Sequence, residues 1–211
     1  MSGYITIAGR SRVEITEKRS RFIATVIPVT TEEEATMYLN EIKKEYSDAR
    51  HNVYAYNIRE NNVARYSDDG EPAQTAGLPV MDLIKKTGMT DILVVVTRYF
   101  GGILLGTGGL VHAYTKAAKE GIIAAGPVKM TLCREVLIKC DYTLLGKVQS
   151  FILASGYKSL EPEYSDAVLV TVLVPEEDGE KFISSVVDLS NGRAQISTGA
   201  VKYQPIETKI G

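Results

Sequence analysis

The sequence predicts an α+β protein of two domains, and three observations lead to this prediction. Residues 128–203 follow the order strand, helix, strand, strand, helix, strand, which is the ferredoxin-like pattern. The part of the chain before them alternates strands and helices in a different order. It ends at a Gly-Pro pair that breaks a helix. We therefore expect one domain over residues 1–130 and a ferredoxin-like domain over residues 131–211.

Hydrophobic spacing places the elements of the first domain. The run Ile92-Leu93-Val94-Val95-Val96 is typical of a strand buried on both faces. Thr30 and Thr31, followed by glutamates, predict the capped start of a helix. The expected strands are 19–29, 52–59, 63–67 and 91–97, and the expected helices are one after Thr31, one over 78–87 and one after the glycine-rich loop.

The second domain is expected to place two helices on one face of an antiparallel sheet. Its strands are expected over 128–140, 157–163, 167–174 and 193–203, and its helices over 143–156 and 176–189.

The two cysteines, Cys133 and Cys140, have neither zinc-ribbon nor redox spacing, so we interpret them as core or sheet residues. The two histidines are too few for a histidine-built metal site, and we expect no metal and no cofactor.

Composition excludes two classes of protein. Apolar residues make up 45% of the chain and charged residues 24%, which is ordinary for a globular protein and unlike a disordered one. No apolar run reaches the roughly 20 residues that a membrane-spanning helix needs. The start of the chain lacks the layout of a signal peptide, so we expect a cytoplasmic protein with no membrane association.

The net charge of −2 hides a small difference between the two domains. Residues 1–130 hold 16 Lys and Arg against 15 Asp and Glu, and residues 131–211 hold 8 against 11. Neither domain is basic enough to bind nucleic acid by charge alone. One basic cluster fits either a solvated strand face or a patch that contacts phosphates. Its members are Arg10, Arg12, Lys18, Arg19 and Arg21.

A glycine-rich segment joins the buried strand to the helix that follows it. Five glycines fall within nine residues, namely Gly101, Gly102, Gly106, Gly108 and Gly109. Glycines permit close approach of another backbone, and a helix start presents unpaired N–H groups, so this loop can hold an anion. Arg98 and His112 can add charge or hydrogen bonds. The alternative is a tight turn in which the glycines only relieve crowding, and the spacing matches neither a Walker A loop nor a Rossmann fingerprint.

An acidic segment precedes the short second helix. Asp68, Asp69 and Glu71 can hold Mg²⁺, or one of them can act as a base. Thr75 can cap the helix that follows. The alternative is a solvated turn, because Asp, Gly and Pro are the residues that turns use.

A third group combines Arg50 and His51 with Tyr54 and Tyr56. Basic and aromatic side chains on one sheet face can stack on bases and pair with phosphates, and Tyr99 can extend that surface. Ordinary packing of half-buried tyrosines explains the same pattern. A Ser-His-Asp triad is not expected, because the chain has no Gly-x-Ser-x-Gly elbow.

At these residues the sequence resembles the YigZ/IMPACT family over nearly its whole length. The matching motifs are Ser20-Arg21-Phe22, Arg50-His51-Asn52, Ser67-Asp68-Asp69-Gly70-Glu71-Pro72, Thr75-Ala76-Gly77, Arg98-Tyr99-Phe100-Gly101-Gly102, Leu105-Gly106-Thr107-Gly108-Gly109-Leu110 and Ala113-Tyr114. The resemblance implies a ribosomal-protein-like α/β N-terminal domain, as in domain IV of elongation factor G. It implies a ferredoxin-like C-terminal domain, as in domain V of that factor.

The resemblance also implies a role in translation. Eukaryotic members regulate translation and carry an extra N-terminal domain for a partner of a stress kinase, a role we do not expect here. Association with RNA or the ribosome is the usual suggestion for bacterial members. The chain departs from the family at His112, where arginine is common, so a fixed cation is replaced by a titratable side chain.

Three functions follow as hypotheses. The first is a translation-associated regulator that binds RNA or the ribosome through an anion-binding cleft on the N-terminal domain. The second is an enzyme acting on a phosphorylated or nucleotide small molecule, and the third is a protein-interaction module in which the glycines are structural. The sequence leaves open whether a reaction is catalysed. The candidate binding residues are Arg21, Arg50, His51, Tyr54, Asp68, Asp69, Glu71, Thr75, Arg98, Tyr99, Gly101, Gly102, Gly106, Gly108, Gly109 and His112.

Overall fold

The computed structural model describes residues 3 to 206, and these divide into two compact units. Tyr4–Lys129 form the first unit, and Met130–Ile206 together with Gly3 form the second. Each unit combines helices with an antiparallel sheet, so the predicted α+β class is confirmed. No helix within residues 3 to 206 is long and apolar enough to cross a membrane.

One antiparallel sheet organises the first unit. The elements in chain order are β1 (Gly3–Ile7), β2 (Ser11–Glu17), β3 (Ser20–Pro28), α1 (Glu32–Glu45), β4 (His51–Ile58), β5 (Val63–Ser67), α2 (Gly77–Lys86), β6 (Ile92–Tyr99) and α3 (Gly106–Ala124). The strand order is β2-β3-β6-β4-β5, and every neighbouring pair is antiparallel. Neither the short β1 nor β2 is among the expected strands, and Ile5 of β1 makes a parallel bridge to Met89.

Helices cover both faces of this sheet. Val94 and Val96 of β6 pack in a core with α2 and α3, whereas Leu93 and Val95 pack in a second core with α1. Alternate side chains of a strand point to opposite faces, so a strand covered on both sides must be apolar at every position. The apolar run in β6 is therefore explained by its central place.

α1 begins as its threonines and glutamates predict. Thr31 is the N-cap residue, and its Oγ1 accepts a hydrogen bond of 3.2 Å from the amide of Glu34. The Glu34 carboxylate in turn accepts a 2.7 Å bond from the amide of Thr30. This backbone bond, with a second from the Thr30 hydroxyl, lowers the pKa of Glu34. The reciprocal bonds fix the entry of the chain into the helix.

The second unit has the ferredoxin-like strand order. Its elements are β7 (Pro127–Cys140), α4 (Tyr142–Ser155), β8 (Lys158–Ser159), β9 (Glu163–Tyr164), β10 (Val168–Pro175), α5 (Gly179–Ser190) and β11 (Gln195–Ile206). β7 pairs with both β10 and β11, while β8 and β9 pair with β10. Side chains of α4 and α5 share one core with this sheet. The ferredoxin-like prediction is therefore confirmed.

Two details of the second unit differ from the prediction. The strand expected over 157–163 is two short strands, β8 and β9, with Pro162 between them, because proline has no N–H for the sheet. The helix expected from 176 begins at Gly179, since Glu176–Asp178 form a separate 3-10 turn after Pro175. Cys133 and Cys140 are buried free thiols, in keeping with core residues.

Candidate functional site

The glycine-rich segment divides between a loop and the first turn of α3. Residues 100–105 form the loop and α3 starts at Gly106, so Gly106, Gly108 and Gly109 belong to the helix. Gly102 and Gly106 have φ values of 85° and 74°, which lie in the left-handed region that favours glycine. These two glycines are therefore required by the backbone path.

The amino end of α3 is exposed and has no cap. Leu105 is the N-cap residue, and no side chain forms a cap hydrogen bond there. The amides of Gly106, Thr107 and Gly108 precede the first hydrogen bonds of the helix, and all three residues are exposed. Such amides carry the positive end of the helix dipole and can donate to an anion.

The start of the loop is fastened to the turn between β2 and β3. The Ser20 hydroxyl is buried and accepts a 3.1 Å hydrogen bond from the amide of Gly101. A Cβ on Gly101 would lie 2.0 Å from the carbonyl carbon of Arg19, so only glycine fits there. Lys18 and Arg19 are exposed at this turn. The loop therefore begins beside two surface cations.

A buried ion pair lies beneath the loop. Arg98 is 6% exposed, and its Nη1 lies 2.6 Å from Oε1 of Glu71. The Tyr114 hydroxyl donates a 2.7 Å hydrogen bond to the same oxygen. Burial, then the Glu71 carboxylate, raises the pKa of Tyr114. The cluster joins β6, α3 and the segment before α2.

Arg98 supports the loop from below. Its guanidinium lies 5.4 Å from the ring centroid of Phe22 and 5.6 Å from that of Phe100, and its Nη2 is 3.5 Å from Oγ of Ser20. Its Nε is buried and has no hydrogen-bond partner within the described part of the chain. The charge of Arg98 is thus directed to Glu71 and is not presented to solvent.

Asp68 lies several residues before α2 in the sequence, and its side chain caps that helix. Its carboxylate accepts three backbone hydrogen bonds of 2.8 to 3.0 Å, from the amides of Gln74, Ala76 and Gly77. The predicted cap by Thr75 is wrong, because its hydroxyl donates instead to the carbonyl of Pro72 at 2.7 Å. The amides at the start of α2 are therefore bonded to Asp68 and not to Thr75.

The three carboxylates of the acidic segment do not converge. Asp69 accepts hydrogen bonds from the amide of Asn52 at 2.6 Å and from Lys43 Nζ at 3.2 Å, whereas Asp68 and Glu71 bond elsewhere. Across residues 3 to 206 no group of three or more His, Cys, Asp or Glu could hold a metal ion. The interpretation of this segment as a magnesium site is therefore wrong.

Substitution of Asp68 tests its structural role. Asp68→Ala is expected to lower the free energy of unfolding by about 1 to 2 kcal/mol, because the amides at the start of α2 lose their acceptor. Asp68→Asn should cost less, since one oxygen still accepts. Urea denaturation followed by circular dichroism measures both. Asp82→Ala, an exposed change on α2 with the same loss of charge, is the control, and an equal effect there would contradict the capping role.

The histidine and tyrosines of the third group lie on opposite faces of the sheet. His51 pairs in register with Arg98, and its Nδ1–H donates to the carbonyl of Asp69 at 2.8 Å. Tyr54 and Tyr56 stack with centroids 6.0 Å apart and pack with the core below α1. The interpretation of these residues as one recognition face is wrong, because odd and even positions of β4 alternate.

Arg21 and Tyr99 form a second cluster on the α1 face. Arg21 makes two 2.9 Å hydrogen bonds to Glu14, and its guanidinium lies 5.3 Å from the Tyr99 ring centroid. The Tyr99 hydroxyl donates to Asp48 at 2.6 Å, which raises the pKa of Tyr99 to about 12. These residues are therefore separated by the sheet from Arg98 and Glu71.

Two further candidates are exposed. Arg50 lies between α1 and β4, and His112 lies on α3 four residues after Gly108, hence on the same side of that helix. Sequence reasoning named Lys18 and Arg19 only as members of a basic cluster, and it left Ser20 and Tyr114 out of the candidate set. Their positions depend on which strands and helices meet beside the loop, which no local pattern shows.

Two domain families match this chain. Residues 18–122 match the Impact N-terminal domain, and residues 138–193 match DUF1949, a domain of unknown function. The first match contains every candidate binding residue, from Arg21 to His112.

Whole-chain relatives have the same family name. The chain is 39% identical over 204 residues to the IMPACT family member YvyE of Bacillus subtilis, covering 96% of this chain and 94% of that protein. It is 32% identical over 182 residues to the IMPACT family member YigZ of Escherichia coli, covering 85% and 89%.

One eukaryotic protein and one solved structure are also similar to this chain. Protein IMPACT of Oryctolagus cuniculus is 39% identical over 106 residues, which are 47% of this chain and 33% of that protein. A crystal structure described as a hypothetical protein is 31% identical with a TM-score of 0.59, covering 93% of this chain and 97% of the other. About half of this chain is thus similar to part of a longer eukaryotic protein.

Proposed function

The chain belongs to the IMPACT family, and we propose that it is a translation-associated regulator that binds RNA or the ribosome through its N-terminal domain. The proposed contact is a phosphate of the RNA held by the first-turn amides of α3. The exposed, uncapped start of that helix is the observation that carries the proposal. The proposal places the protein in the cytoplasm, where its partner is found.

The charge around the loop is consistent with phosphate binding. Lys18 and Arg19 are exposed beside Gly101, and neither forms an ion pair with another residue of the described chain. The N-terminal domain as a whole is nearly neutral, so the contact must be local and involve few phosphates. We therefore propose a moderate affinity with a shallow dependence on salt.

The geometry favours binding over catalysis. An enzyme acting on a phosphorylated molecule was expected to use the acidic segment as a magnesium site or a base. Asp68 and Asp69 instead accept backbone amides, and Glu71 is committed to Arg98 and Tyr114. These carboxylates form hydrogen bonds within the domain, whereas Gly106, Thr107 and Gly108 at the start of α3 are exposed.

Binding of fluorescently labelled single-stranded RNA, followed by anisotropy at several salt concentrations, tests the proposal. The double substitution Lys18→Gln with Arg19→Gln should weaken binding and reduce the magnitude of the slope of log K against log salt by about 0.7 per lost phosphate contact. Glutamine keeps the backbone preference and the side-chain length nearly unchanged.

The matched control removes another adjacent pair of cations. Lys85 and Lys86 are exposed in the last turn of α2, at the opposite end of that helix from Asp68. Their substitution by glutamine should leave both the affinity and the salt slope close to wild type. An absence of RNA binding, binding that salt does not weaken, or an equal loss in the control would overturn the proposal.

A further inference from the structure

Phe100 is an exposed aromatic side chain at the start of the loop. It is 48% exposed, and the guanidinium of Arg98 lies 5.6 Å from its ring centroid. Arg98 is the one cation or aromatic ring that contacts Phe100 within residues 3 to 206. The ring therefore contacts a buried cation, and the residue as a whole is about half exposed.

The backbone beside Phe100 is fixed. The Gly101 amide is bonded to the buried Ser20 hydroxyl, and the close approach of Gly101 to Arg19 leaves no space for movement inward. A ring held in place before a ligand arrives loses little conformational entropy on binding. The position of Phe100 at the surface is therefore set by the anchored backbone of Gly101.

The other aromatic candidates lie on the opposite face of the sheet from Arg98. Tyr54 and Tyr56 stack on each other below α1, and Tyr99 contacts Arg21 on that same face. Next to Phe100 in the loop, Ile103 is 40% exposed and Leu104 is 84% exposed. The apolar part of this surface thus lies in the same short loop that leads to the α3 amides.

We infer that Phe100 stacks on an unpaired base, so that the site takes single-stranded rather than double-stranded RNA. This inference rests on the proposed function, which supplies the phosphate contact at α3. Bases in a duplex are stacked on one another, whereas an unpaired base presents its face to a protruding aromatic ring.

A tryptophan at position 100 gives a direct readout of stacking. The chain contains no tryptophan, so Phe100→Trp introduces a single indole fluorophore at the site. A short oligouridylate should quench that fluorescence in a saturable manner. An abasic strand with the same number of phosphates, and a duplex of the same length, should bind with little quenching. Equal quenching by the abasic strand or the duplex would overturn the inference.

The RNA affinities of variants without the tryptophan complete the test. Phe100→Leu should weaken oligouridylate binding about 5- to 100-fold and leave abasic-strand binding unchanged, whereas Phe100→Tyr should bind like wild type. If Phe100→Leu has no effect while Lys18→Gln with Arg19→Gln weakens binding, the stacking inference fails and the proposed function stands. If the wild-type protein binds no RNA, both the stacking inference and the proposed function fail. Both also fail if the protein instead binds an aliphatic peptide through the free carboxylate of that peptide.

Discussion

Glu71→Gln is expected to lower the free energy of unfolding by about 3 to 5 kcal/mol, which is the typical cost of removing one partner from a buried ion pair. The Glu71 side chain is 4% exposed and the Arg98 side chain 7%, so water cannot replace the lost carboxylate charge. The Tyr114 hydroxyl also loses its charged acceptor. Urea denaturation followed by far-ultraviolet circular dichroism measures this change.

Two companion variants separate charge from packing. Glu71→Gln combined with Arg98→Met removes both charges and should recover most of the lost stability, because no unpaired charge remains buried. Glu14→Gln removes the partner of Arg21 in an exposed pair and should change stability far less. If Glu71→Gln costs no more than Glu14→Gln, the buried pair does not stabilise the domain.

Gly108→Glu should weaken binding of single-stranded RNA at least about tenfold while stabilising the protein. Gly108 is the third residue of α3, and a Cβ there would meet no atom within 4 Å. A glutamate at this position can reach back toward the amide of Leu105 and place negative charge at the helix end. Replacing glycine within a helix adds about 0.5 to 1 kcal/mol of stability. The expected variant is therefore more stable and less able to bind an anion.

Gly108→Gln is the matched variant for this experiment. Glutamine has nearly the same size and also fits the open space, but it adds no negative charge. It should stabilise α3 to a similar degree and retain more of the RNA affinity than Gly108→Glu. RNA binding by anisotropy and thermal unfolding should be measured on both proteins. Equal affinities for the two variants would show that negative charge at the start of α3 does not matter for binding.

Much of the fold follows from local patterns, because burial repeats with the period of each element. The run of apolar residues in β6 predicted a strand covered on both faces, and Thr31 with Glu34 predicted the start of α1. The helical spacing of Leu110 and Tyr114 predicted the buried side of α3. β1 was missed because its five residues are too short to show a period and depend on distant partners.

The candidate site was less accessible to sequence reasoning. The glycine count pointed to the loop and the start of α3, since glycine frequency is a local property. The pairing of Glu71 with Arg98 joins residues 27 positions apart, and Ser20 meets Gly101 across 81 positions. Such contacts depend on which strands are neighbours in the sheet. The sequence of the acidic segment therefore suggested a ligand site, although its carboxylates support the structure.

Amide chemical shifts give the most direct test of phosphate binding at α3. On adding single-stranded RNA to isotope-labelled protein, the amide signals of Gly106, Thr107 and Gly108 should move and saturate, because those N–H groups would donate to the bound phosphate. The signals of Lys85 and Lys86 should stay in place. Unmoved signals at 106 to 108, with RNA-dependent shifts confined to other regions, would contradict binding at the start of α3.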